Sequence, residues 1–118
     1  MIRIAFILSL LVVSGALAQE VTSGTGAVLR ALDKTSGDTV DIEIALGQSR
    51  DIGRLQVVLG DCRYPIGNPA GNAYAELEIT ETGKAGILFS GWMIASAPAL
   101  SALEHQRYDI WVIRCTTS

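Results

Sequence analysis

His105 is the one histidine in the chain, and Ser96, Ser101 and Asp109 lie close to it in sequence. A base, a hydroxyl and an orienting carboxylate are the parts of a hydrolytic triad, so nucleophilic chemistry has to be sought here first. Nearness in sequence does not assemble a triad, however. A histidine ending a short helix is explained more simply by a cation meeting C-terminal carbonyls. The serine-hydrolase turn is also incomplete, because Gly47-Gln48-Ser49-Arg50-Asp51 lacks the final glycine of a nucleophile elbow. We expect no catalytic residue and rank a His105-dependent hydrolase last among the functional readings.

Aromatic side chains offer a second chemistry, because their faces stack on sugar rings and anchor protein partners. Tyr64 and Tyr74 flank a turn-rich loop and are expected to be exposed, whereas Trp92 and Trp111 lie in very apolar runs and are expected to pack in the core. The candidate interaction surface takes Tyr64 and Tyr74 from around that loop. From residues 91–108 it adds Trp92, Pro98, Leu100, Leu103, His105, Arg107 and Tyr108. Asp33, Asp38, Asp41 and Glu43 lack the spacing of a calcium loop, and alternation along a strand accounts for Asp41 and Glu43. The two cysteines, Cys62 and Cys115, form no C-x-x-C motif and have a single histidine to complete a ligand set. Neither a metal nor a cofactor is expected.

The start of the chain has the order of a secretory signal. Arg3 is followed by an apolar run over residues 4–13, and Ala16-Leu17-Ala18 supplies small residues before a cleavage point. Residues 1–18 are therefore expected to be removed, which leaves an exported mature protein with no transmembrane anchor after cleavage. In an oxidising compartment two cysteines in a small domain read as a disulfide. Closing a loop of that length contributes about 4 kcal/mol in the chain-entropy model. The net charge of −3 has its cations spread among acids, which argues against nucleic acid as a partner.

The elements that must position these residues read as strands. Residues 19–26 are polar and glycine-bearing and are expected to be a flexible lead, with a single β domain over 27–118. Strand patterns occupy 27–34, 40–46, 54–64, 73–81, 87–95 and 108–116, separated by turn signals at roughly ten-residue spacing. In the second, Val40, Ile42, Ile44 and Leu46 alternate with Asp41, Glu43 and Ala45. Gly60-Asp61 suits a bulge before Cys62. The fifth run is apolar on both faces and is expected to be central or covered on both sides. Residues 96–105, with Pro98 early and Leu100 and Leu103 three apart, predict a short helix. The fold class is all-β: an antiparallel sandwich or small barrel of six to seven strands, with one short helix before the last strand.

The run Phe89-Ser90-Gly91-Trp92-Met93-Ile94-Ala95-Ser96-Ala97-Pro98-Ala99-Leu100-Ser101-Ala102-Leu103-Glu104-His105, followed by Arg107-Tyr108-Asp109 and Trp111-Val112, resembles the domain of unknown function 2155 family of small secreted alphaproteobacterial proteins. The likeness extends through residues 28–34, Cys62-Arg63-Tyr64-Pro65 and Asn68-Pro69-Ala70-Gly71. It departs at Ala97 and Gln106, where serine and proline are common in the family. The resemblance implies a Gram-negative periplasm and a cysteine pair, and it implies no activity. The expected function is a non-catalytic protein-interaction or accessory module of an envelope complex. The alternative is a module that binds cell-wall glycan or peptidoglycan.

Overall fold

The structure is a computed structural model, and it describes residues 20–118. The expected signal at 1–18 lies outside the described residues. Eight strands form: β1 (Val21–Ser23), β2 (Gly26–Asp33), β3 (Thr39–Ala45), β4 (Ser49–Ile52), β5 (Leu55–Pro65), β6 (Tyr74–Glu81), β7 (Phe89–Ile94) and β8 (Tyr108–Thr116). They make two antiparallel sheets. In one, β5 pairs with both β1 and β4 on one side and with β6 on the other, and β6 pairs with β7; in the second the order is β3-β2-β8.

Alternation decides which residues face inward. Leu55, Val57, Leu59, Leu77, Ile79 and Met93 from the first sheet are nearly or fully buried against Leu29, Ala31, Ile42, Ile44, Ile110 and Val112 from the second. Each large aliphatic side chain so buried is worth roughly 1.5–3 kcal/mol. The bulge expected at Gly60-Asp61 is present, with the β5–β6 register shifting between Leu59 and Asp61. It re-phases the end of β5, so that Cys62 points inward and Arg63 outward. Cys62 pairs with Cys115 of β8, joining the two sheets through the core.

Four expectations are corrected. Val21–Ser23, read as part of a flexible lead, pairs with Arg63–Pro65 of β5. β4 has no counterpart among the expected strands, because Ile52 is its one buried residue and it shows no apolar alternation. With these two short strands the count among the described residues is eight rather than six or seven.

β7 is an edge strand rather than a central one. Its register sets Met93 opposite Ala75, facing the core, and Trp92 opposite Glu76, facing out.

The helix over 96–105 reduces to one 3-10 turn at Pro98–Leu100. Ala97 at its start provides no side-chain cap, and Leu103 turns into the core while Leu100 stays 76% exposed. An uncapped segment this short, with its two leucines pulled in opposite directions, cannot nucleate an α-helix.

Candidate functional site

The outer face of the first sheet carries a groove of about 400 Å³ lined by Val21, Arg63, Tyr74, Trp92 and Ile94. Strand register builds it. Ser23 lies opposite Arg63, Arg63 opposite Tyr74 and Tyr74 opposite Ile94, so one row crosses four strands. Asp61, Glu76 and Trp92 form the next row.

Within the groove Arg63 is held on two sides. Its Nε–H donates to Asp61 Oδ2 at 2.8 Å, and its guanidinium carbon stands 4.9 Å from the centre of the Trp92 ring. Asp61 is itself fixed by the Ser23 hydroxyl, which donates to Oδ1 at 2.9 Å. Burial pushes the Asp61 carboxyl upward, but hydrogen bonds from Ser23, Arg63 and the Cys62 N–H outweigh it and leave the group below its ordinary value. Tyr74 is positioned by Asn72, whose Nδ2–H donates to the phenolic oxygen at 3.2 Å. Asn72 Oδ1 in turn accepts from the Ala73 and Ser96 N–H groups, tying the loop end to the chain leaving β7.

His105 is placed quite differently. Its Nδ1 accepts from the backbone N–H groups of Arg107 at 3.0 Å and Tyr108 at 3.2 Å. The ring proton therefore sits on Nε2, which donates to Glu81 Oε1 at 3.0 Å. Glu81, at the end of β6, is 8% exposed. Its Oε2 has the Lys84 ammonium at 3.0 Å as an ion contact, off the line of a proper hydrogen bond. Lys84 first and His105 second hold the Glu81 carboxyl below its ordinary range, against the opposing effect of burial. With both ring nitrogens spent on structure, His105 is not poised to take a proton from a nucleophile. Ser96, Ser101 and Asp109 are not among its hydrogen-bond partners.

The sequence-derived surface thus divides. Tyr74 and Trp92 come together in the groove, and Tyr64 is part-buried against the core. Leu103 and Tyr108 are buried, so they present no surface. The Tyr108 hydroxyl lies where a Cβ on Gly53 would collide with it. Arg107 pairs with Asp33 at 3.1 Å and stacks on Tyr108. Pro98 lines a second groove with Ala99, Ala102, Asp109, Ile110 and Trp111, while Leu100 projects beside it. Trp92 and Trp111, expected in the core, are half-buried at outward positions. Trp111 lies opposite Arg30, which lies opposite Asp41, in a row on the outer face of the second sheet.

Sequence reasoning missed Arg63, Val21 and Ile94. The signal for Arg63 was the bulge, which sets its facing, but its meeting with Tyr74 and Trp92 depends on register. Among the described residues no three histidine, cysteine or acidic side chains gather as a metal site. Asp33 is spent on Arg107, and Asp41 is spent on Arg30 at 2.8 Å. Both carboxyls are held below their ordinary value by those guanidiniums. No helix among the described residues is long and apolar enough to cross a membrane.

Fold and site together define a small two-sheet β domain, stapled between its sheets by a disulfide and carrying an open groove on one outer face. The chain belongs to the bacterial family described as "uncharacterized protein conserved in bacteria" (DUF2155), whose model matches residues 27–115. It is 28% identical over 94 residues to the uncharacterized protein RP359 of Rickettsia prowazekii (strain Madrid E), an alignment that covers 77% of this chain. The chain spans 61% of that relative's length. No solved structure matches it.

Proposed function

We propose that this chain is a non-catalytic binding module of the bacterial periplasm that docks an envelope protein on the outer face of its first sheet. The observation that carries this reading is the groove itself, where Arg63, Tyr74 and Trp92 meet on an open surface and are held in place by Asp61 and Asn72. Prearranged aromatic and arginine side chains are the residue types that dominate protein interfaces. The paired cysteines and the signal-like start support an exported, oxidising location.

A photo-crosslinking residue placed at Trp92 in the source cell tests this, with the same residue at Glu43 as control. A specific adduct from position 92 and none from position 43 is the expected result. Equal or absent capture from both would remove the reading.

A second reading, a glycan-binding module, is favoured by Tyr74 and Trp92 sharing that open face. It is weakened by the Arg63 guanidinium, which stacks on the Trp92 ring that a sugar would need to reach. Failure of the protein to co-sediment with purified cell wall would count against it.

A further inference from the structure

The groove holds an unbalanced set of polar atoms. Arg63 uses Nε on Asp61 but, among the described residues, Nη1 and Nη2 donate no hydrogen bond. The Tyr74 oxygen accepts from Asn72, which leaves its own proton free to donate. Both acceptor oxygens of Asp61 are already engaged, one by Ser23 and one by Arg63. Strand register sets Arg63 directly opposite Tyr74 and both line the groove, so these donors, free among the described residues, share one face. The rest of the wall is apolar, with Val21 on one flank and Ile94 and the Trp92 ring on the other.

A fork of guanidinium N–H groups next to a phenol is suited to a carboxylate, which accepts on both oxygens. The apolar flanks suit a hydrocarbon side chain attached close to it. About 400 Å³ is space for one or two residues rather than a long segment. Glu76 lies on the same face, opposite Trp92, and the exposed Glu78 follows one row on, so a run of acidic residues would be repelled.

We propose that the groove captures the C-terminal carboxylate of a partner protein whose last residue is apolar. This rests on the reading that the domain docks a protein, and it adds what part of that protein is recognised. The main-chain carboxylate and the last side chain leave the same Cα, which matches the adjacency of the donor cluster and the apolar walls. Arg63 is the anchor, Tyr74 donates to the second oxygen, and Asp61 and Trp92 orient the guanidinium.

The test uses an N-terminally fluorescein-labelled hexapeptide ending in leucine, with either a free C-terminal carboxylate or a C-terminal amide, titrated against the purified protein by fluorescence polarisation. The free acid is expected to bind at least about tenfold more tightly than the amide. Arg63→Gln should bring the acid down to the affinity of the amide, and Tyr74→Phe should weaken the acid several-fold, with the melting temperature of each variant confirming the fold.

Equal titration of acid and amide by the wild-type protein would overturn the proposal. So would an Arg63→Gln variant that melts like wild type yet keeps the preference, or binding confined to D-alanine-ended cell-wall peptides. If acid and amide bind alike while crosslinking from position 92 still captures a protein, carboxylate recognition fails and docking stands. If crosslinking fails as well, both fail.

Discussion

At the scale of single residues, the two side chains that most invite a functional reading have opposite fates. Arg63, which carries no motif, is oriented on an open surface with two nitrogens unspent among the described residues. His105, the most reactive-looking residue in the sequence, closes a network linking Glu81 of β6 to the backbone of residues 107 and 108. The Lys34 ammonium adds a further tie, donating to the His105 carbonyl at 2.8 Å.

Such a histidine matters for stability. His105→Ala leaves a nearly buried carboxylate oxygen without its donor and two backbone N–H groups without their acceptor. It should lower the melting temperature by about 5 °C or more in a domain of this size. Lys84→Ala removes the other contact of the same carboxylate, but that side chain is 70% exposed and the change should move the midpoint by no more than about 2 °C. Calorimetry on the two variants separates the roles. A His105→Ala protein melting at the wild-type temperature would show that the network bears no weight.

At the scale of elements, the junction of β1 and β2 is closely confined by backbone. There the chain leaves the first sheet and enters the second, passing between β8 and the end of β3. The Gly24 N–H donates to the Cys62 carbonyl at 2.7 Å and the Thr25 N–H to the Thr116 carbonyl at 2.8 Å. A Cβ at Gly26 would overlap the Ile44 carbonyl and stand 3.0 Å from both Ala45 Cα and Thr116 Oγ1. Backbone from β3 and side chain from β8 confine it together, so neither strand can retreat from it. Gly26→Ala should destabilise the domain by roughly 2–4 kcal/mol in urea unfolding. Gly37→Ala, where a Cβ would meet nothing within 4 Å, should cost only the roughly 1 kcal/mol of a positive φ. Equal losses at the two positions would show that the crossing has room to spare.

The same junction shows where the sequence stops being legible. Every strand with apolar alternation or a strongly apolar run was found close to its observed limits, because period-two patterning is written into the residues themselves. β1 and β4 have three and four residues and almost no buried face, so pairing with β5 alone makes them strands. The helix expected at 96–105 fails for the converse reason, since a local signal is overridden by Leu103 entering the core. Trp92 was misplaced because β7 is apolar on both sides, and only its register against β6 decides which side faces out. The groove shares that fate: Tyr74 and Trp92 were visible as aromatics, but their meeting with Arg63 is a property of three paired strands.

At the scale of the whole molecule, the disulfide ties the two sheets together through side chains, in addition to the crossings of the chain itself. Cys62 is fully buried and Cys115 is 3% exposed, with their Cα atoms 5.7 Å apart and a sequence separation of 53. Cys62 immediately precedes Arg63, and Cys115 pairs with Ala27, just past the β1–β2 crossing. The bond therefore fixes the strand that presents the groove to the strand pair at the back of the core. In the chain-entropy model its loss costs about 4 kcal/mol, a large share of the 5–15 kcal/mol typical of a domain.

The double variant Cys62→Ala, Cys115→Ala removes the bond without burying a hydroxyl. It should melt at least about 15 °C below the wild-type protein. With both sulfurs buried, the intact protein should resist dithiothreitol at room temperature and lose the bond quickly only when denaturant opens the core. Free-thiol labelling of native protein with and without reductant, followed over time, measures this directly. Rapid native reduction with no change in the melting curve would mean that the two sheets are held by their packed aliphatic core alone.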